Sequence, residues 1–291
     1  MKNIIVPIDF SNEAIPGLKF SLMIANKINA NIQMVHVIKK YDNKDSVQLQ
    51  NEHQLAETKF ITLYKEYKEK INLNLNLSYT IKEGKIFEEI TNLANTYDDA
   101  LVVLSTHGQS GFNEWFIGDN SYKIASHSKC PVITVRSNAI SSTISKIVLP
   151  LDITFQTREK VPYTVKLAQT FGSEIHLLSI RLSNFSGIEE KLHQYTKQVA
   201  SYIEAHKIKC KIEHLQGENL TDITLEYAKL VNADLISIMT EQEKSVSNLL
   251  LGSYAHQMIN KAFIPVLLFP NYQLQVTTED IWDLGAFNAR S

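Results

Sequence analysis

Lys2-Asn3-Ile4-Ile5-Val6-Pro7-Ile8-Asp9-Phe10-Ser11 is an apolar run that stops at a carboxylate and a hydroxyl. Ser145-Lys146-Ile147-Val148-Leu149-Pro150-Leu151-Asp152-Ile153-Thr154 repeats it 143 residues later. The same offset carries Asn31-Ile32-Gln33-Met34-Val35-His36-Val37-Ile38 onto Glu174-Ile175-His176-Leu177-Leu178-Ser179-Ile180-Arg181. Further on, at a shift of 134, Gly118 meets Gly252, and Pro131-Val132-Ile133-Thr134-Val135 meets Pro265-Val266-Leu267-Leu268-Phe269. A period of about half the chain means a duplicated domain. The reading is a first domain over 1–138, a second over 144–271 and a C-terminal tail over 272–291, with the polar stretch before Ile144 as the joint.

Within each half the periodicity alternates. Ile4 to Ile8, Ile32 to Ile38, Ala100 to Ser105 and Val132 to Val135 are short Val- and Ile-rich runs, as strands covered on both faces should be. Phe60, Leu63, Tyr64, Tyr67 and Ile71 recur at helical spacing, as do Ile86, Phe87, Ile90, Leu93, Ala94 and Tyr97, and Ile188, Leu192, Tyr195, Val199, Tyr202 and Ile203. Leu73, Leu75, Leu77, Tyr79 and Ile81 alternate with polar residues, which predicts a strand at a sheet edge. Ile208, Cys210 and Ile212, interleaved with lysines, are its counterpart. The order predicts two tandem doubly wound α/β domains, each a five-stranded, mostly parallel open sheet.

Composition removes several functions. The 291 residues are 44% apolar and 21% charged with a formal net charge of −2, so no basic field is present to grip a phosphate backbone. No stretch approaches the roughly 18 apolar residues of a membrane span. Cys130 and Cys210 are far apart and read as reduced cytoplasmic thiols rather than a disulfide or a zinc site. Walker, dinucleotide-fingerprint and nucleophile-elbow motifs are missing, so no enzyme signature supports catalysis. A Ser/His/Asp triad could be drawn from the composition of any chain this long, and only geometry would give it weight.

Ligands of such sheets bind outside the carboxyl ends of the strands, where the strand order reverses. In the first half Asp9 and Ser105-Thr106-His107-Gly108 end there, and the loop runs on to Gly118-Asp119-Asn120-Ser121 before a helix opens. A helix start offers unpaired amides and a favourable dipole to an anion. The plainer alternatives are that Gly118 only turns the chain, that Asp119 or Ser121 caps the helix, that Asp9 caps the helix after it through the Asn12 or Glu13 amide, and that His107 is a loop histidine without a ligand.

These residues resemble the universal stress proteins in their tandem, two-domain form. The resemblance rests on Val6-Pro7-Ile8-Asp9, Ser105-Thr106-His107-Gly108, the Gly118 loop and Cys130-Pro131-Val132-Ile133-Thr134-Val135, and it spans nearly the whole chain. It implies a Rossmann-like fold with the two domains packed as an intramolecular pseudo-dimer, a non-catalytic cytoplasmic stress role, and ATP or AMP with Mg in the first domain. The nucleotide-binding branch carries Gly, two residues, Gly, nine residues, then Gly followed by Ser or Thr. Here Ser105, Gly108 and Gly118 keep the gaps, while Asp119 stands at the hydroxyl position. Two like charges about 4 Å apart cost on the order of 4 kcal/mol at an effective dielectric of about 20, so this carboxylate weakens polyphosphate binding unless a cation intervenes. By resemblance, Pro7 and Asp9 line the adenine and ribose side and Val37 contacts the base. His107 and Gly108 flank the phosphates, and Asn120 and Ser121 donate at the helix start.

In the second half Gly252-Ser253 keeps the hydroxyl step, but Met239 and Gln242 replace both earlier glycines and Glu241 and Glu243 add negative charge. Side chains there fill space that a ligand needs, so no nucleotide is expected in that domain. The competing reading is a protein-interaction module that binds no nucleotide, either through an unknown protein partner or as a homodimer. A third is a pocket beside Asp9 and His107 for a different ligand that tolerates the carboxylate.

Overall fold

The computed structural model of the chain describes residues 1–40, 46–106, 119–136, 141–151, 155–182, 187, 189–240 and 252–270. It divides into two compact units, Met1–Ser142 and Thr143–Ser291. The first runs β1 (Asn3–Pro7), α1 (Ile15–Ile28), β2 (Asn31–Lys39), α2 (Ser46–Tyr67), β3 (Leu77–Gly84), α3 (Ile86–Ala94), β4 (Ala100–Thr106), α4 (Asp119–His127) and β5 (Val132–Arg136). Its strands lie in the order β3-β2-β1-β4-β5 and every described pairing is parallel.

That order dictates the layers. From β1 to β3 the chain steps one way and from β3 to β5 it steps back. Right-handed crossovers therefore put α1 and α2 on one face and α3 and α4 on the other. Both faces of β1 and β4 are covered, which is why Ile4, Ile5, Val6 and Leu101 to Leu104 are buried without alternation. Pro16 opens α1, and Asn29 closes it in the left-handed conformation at φ 56°, a residue type that tolerates this turn.

The second unit repeats the plan with β6 (Lys146–Leu151), α5 (Val161–Phe171), β7 (Glu174–Leu182), α6 (Glu189–Ala205), β8 (Cys210–Gly217), α7 (Leu220–Leu230), β9 (Leu235–Met239), α8 (Ser253–Lys261) and β10 (Val266–Phe269). Its order β8-β7-β6-β9-β10, again parallel, matches the first. Pro162 and Gly172 open and close α5 as Pro16 and Asn29 do α1, with Gly172 at φ 70°.

The alternating strands are outermost in both units, as their patterns require, but the first is shorter than its pattern. β3 begins at Leu77, and Leu73 lies fully exposed in the turn before it. Alternation there continues without strand pairing because the turn from Ile71 to Asn76 is held by Asn26 and Asn31 instead. Asn26 accepts from the Asn72 amide at 2.8 Å and Asn31 from the Asn76 amide at 2.9 Å. Ile71 and Tyr97 also fall outside their helices, which end at Tyr67 and Ala94. The tail over 272–291 and Ile188 lie outside the described residues.

Candidate functional site

β1 is the strand at which the order reverses, since it pairs with β2 on one side and β4 on the other. Its carboxyl end, the carboxyl end of β4 and the start of α4 therefore define the edge where a doubly wound sheet takes its ligands. Pro7 ends β1 in register with Val35, and the Ile8 amide donates to the Val35 carbonyl at 2.8 Å. Asp9 follows, exposed, its Oδ1 accepting from the Ser11 amide at 2.9 Å and the Ser11 hydroxyl at 2.6 Å. It thus folds the turn after β1 through Ser11.

Between them stands a residue whose role the sequence hides. Phe10 has φ 63°, a left-handed conformation that costs a side-chain-bearing residue roughly 1–2 kcal/mol. The ring packs against His36 at 4.6 Å and edge-on to Phe60 of α2 at 4.9 Å, with the Lys59 ammonium 5.2 Å from its centre. His36 Nδ1 donates to the Ile8 carbonyl at 2.7 Å, and burial lowers its pKa below the ordinary imidazole value. Strain held in place by packing is characteristic of a site edge. The only sequence sign was an aromatic residue between an Asp and a Ser where the chain must turn.

Val37, two residues before the end of β2, is 7% exposed. Ser105, which stands where the nucleotide-binding branch has its first Gly, turns its hydroxyl inward. Its Oγ accepts from the Gly17 amide in the first turn of α1 at 2.8 Å and donates to the Ala14 carbonyl at 3.1 Å. Gly17 is glycine for this contact, because a Cβ there would stand 2.5 Å from that oxygen. The hydroxyl is therefore spent on anchoring α1 to β4. Asp119, Asn120 and Ser121 form the described first turn of α4, with Asn120 and Ser121 half-buried, so Ser121 lies inside the helix and does not cap it. His107, Gly108 and Gly118 lie outside the described residues.

The second unit builds the same edge from different residues. Lys160 takes the place of Gly17 and Met239 that of Ser105. Thr164 donates to the Lys160 carbonyl at 2.8 Å as Ser21 does to the Gly17 carbonyl at 2.7 Å, which fixes the equivalence. Lys160 is buried and its Nζ donates to Thr157 Oγ1 at 3.0 Å. Met239 is 1% exposed at the end of β9. Gly252 precedes α8, its amide donating to the Thr240 carbonyl at 2.9 Å. Asp152, Glu241, Gln242 and Glu243 lie outside the described residues.

Burial pushes the Cys130 thiol up to about 12 and the Cys210 thiol up to about 11, so neither is a thiolate nucleophile at neutral pH. Among the described residues no group of three or more His, Cys, Asp or Glu side chains could hold a metal ion. No helix among them is long and apolar enough to cross a membrane.

A parallel doubly wound sheet, present twice, defines a class of α/β proteins whose ligands sit at the switch point. Comparison with known proteins narrows it. The Usp family model, the universal stress protein family, matches residues 1–136 and again 143–270, and the chain belongs to that family as a tandem member. It is 28% identical over 137 residues to universal stress protein MJ0531 of Methanocaldococcus jannaschii, a match covering 42% of this chain and 80% of that protein. A universal stress protein structure from Archaeoglobus fulgidus superposes with a TM-score of 0.74 at 19% identity, over 93% of this chain and 98% of that one. A putative universal stress protein from Pseudomonas aeruginosa gives 0.62 at 15% identity, over 93% of each chain.

Proposed function

We propose that this chain is a non-catalytic cytosolic stress-response protein whose first unit binds an adenine nucleotide, ATP or AMP, weakly and whose second unit binds none. One observation carries the reading: Asp9 and Ser105-Thr106 leave neighbouring parallel strands at the point of order reversal, on the edge where ligands of such sheets sit. Pro7, Asp9 and the Val37 backbone would face the base and ribose, and His107, Gly108, Gly118, Asn120 and Ser121 the phosphates. Mg would shield Asp119 from the γ-phosphate. In the second unit the larger residues Lys160 and Met239 stand where the first has Gly17 and Ser105, and Gln242 stands at the Gly108 position, which supports a blank there.

Isothermal titration with ATP and Mg tests this. Weak binding at one nucleotide per chain is expected, and no heat overturns the nucleotide reading. Asp119→Ser should tighten ATP by about tenfold or more if like-charge repulsion limits the site.

A further inference from the structure

The second strand of each unit carries a polar side chain at the same register position, and the two differ in one respect that matters. In the first unit it is Gln33 of β2, whose Oε1 accepts from the Tyr97 hydroxyl, just after α3, at 3.0 Å while Nε2 donates to Thr80 of β3 at 2.7 Å. In the second it is His176 of β7, 3% exposed, with Nδ1 2.8 Å from the hydroxyl of Tyr227 on α7. An amide does not titrate in the physiological range; an imidazole does.

The imidazole is poorly placed to carry a proton. Nε2 is buried with no hydrogen-bond partner among the described residues, and Glu174 Oε1 on the same strand is 3.5 Å away. Four charged side chains act on the ring. From β8, Lys211 lies in register with His176 and pairs with Glu213 at 2.9 Å, and from β6, Lys146 reaches past to donate to the Val231 carbonyl at the end of α7 at 2.8 Å. Glu174 and Glu213 favour a cationic ring and Lys211 and Lys146 oppose it, but burial outweighs all four. In the neutral ring with its proton on Nε2, Nδ1 accepts from Tyr227. A second proton, on Nδ1, reverses that bond, the Tyr227 oxygen now accepting, and leaves a cation buried under α7 that water reaches only when α7 lifts.

We propose that His176 and Tyr227 form a proton-operated latch that holds α7 on the sheet of the second unit at neutral pH and releases it in acid, a device the first unit lacks because Gln33 stands at the same place. Hydrogen exchange of the full chain, read on residues 220–230 and 86–94 at about pH 7.5 and about pH 5 and corrected for intrinsic rates, tests it. The protection of 220–230 should fall by about tenfold or more relative to 86–94. His176→Gln, which copies Gln33, should remove that fall, and Gln33→His should introduce one at 86–94. An unchanged ratio in the natural chain, or the same fall in His176→Gln, overturns the latch. Should His176→Gln not fold, an NMR titration of the His176 ring in the natural chain decides: titration below the ordinary imidazole range and in step with α7 exposure supports the latch, and titration at the ordinary value or out of step with α7 overturns it.

Discussion

Ser105 shows how one atom can change the use of a position. A glycine at the end of β4 would leave the backbone open to a ligand, whereas the serine hydroxyl closes on Gly17 and Ala14 of the neighbouring segment. Gly17→Ala should therefore cost about 1–3 kcal/mol, since its methyl group evicts the hydroxyl from two hydrogen bonds in a half-buried place, and urea unfolding will measure it. Ser105→Gly in the same chain should recover part of that loss, because the methyl group then meets no oxygen, and the double-mutant cycle reports the coupling directly. Additive losses would mean that the Gly17 pocket is tight for another reason. The Ser105 position was legible from its spacing to Gly108 and Gly118, but its direction was not, because sequence spacing does not say to which side a hydroxyl turns.

At the scale of elements, strands announced themselves and ends did not. Continuous Val and Ile runs gave β1, β2, β4 and β5 because both of their faces are covered, and alternation gave β3 and β8 because theirs are not. Leu73 kept the alternating pattern and is nonetheless exposed in a turn, since Asn26 and Asn31 tie down the amides that a strand partner would have used. The long helix α2 is attached through few residues: Ala56, Phe60 and Tyr67 are its fully buried side chains, while Val47, Leu55 and Ile61 face outward. Phe60 stacks on Tyr79 of β3 at 4.8 Å and touches Phe10 at the edge of the site. Phe60→Ala should accordingly cost about 3–5 kcal/mol in denaturant unfolding, whereas Leu73→Asn should change stability by less than about 0.5 kcal/mol. A small loss at Phe60 would mean that α2 is held by something other than that aromatic contact.

For the molecule as a whole, the half-buried His36 and the buried His176 shape the acid side of the stability curve. Burial lowers the pKa of both His36 and His176, so the unfolded chain binds their protons more tightly than the folded chain. The sign follows: their contribution is intact above the unfolded imidazole value of about 6.5, declines as pH falls below it, and is lost in full once pH passes the folded values. Unfolding midpoints measured from about pH 8 to about pH 5 should fall over that window, and His176→Gln should flatten the curve. A flat curve in the natural chain would contradict the lowered pKa of both rings.

The repeat, the parallel doubly wound plan and the two outermost strands were written in the sequence, because each depends on periodicity and on which faces must avoid water. The family motif spacing also pointed to the carboxyl ends of β1 and β4 in the first unit. What tertiary structure alone decided was direction and pairing: the inward turn of Ser105, the left-handed Phe10 on His36, Lys160 buried where Gly17 has no side chain, and Tyr227 over His176. These contacts join residues far apart in the chain, and no local pattern encodes which of many polar side chains will meet once the helices are laid on the sheet.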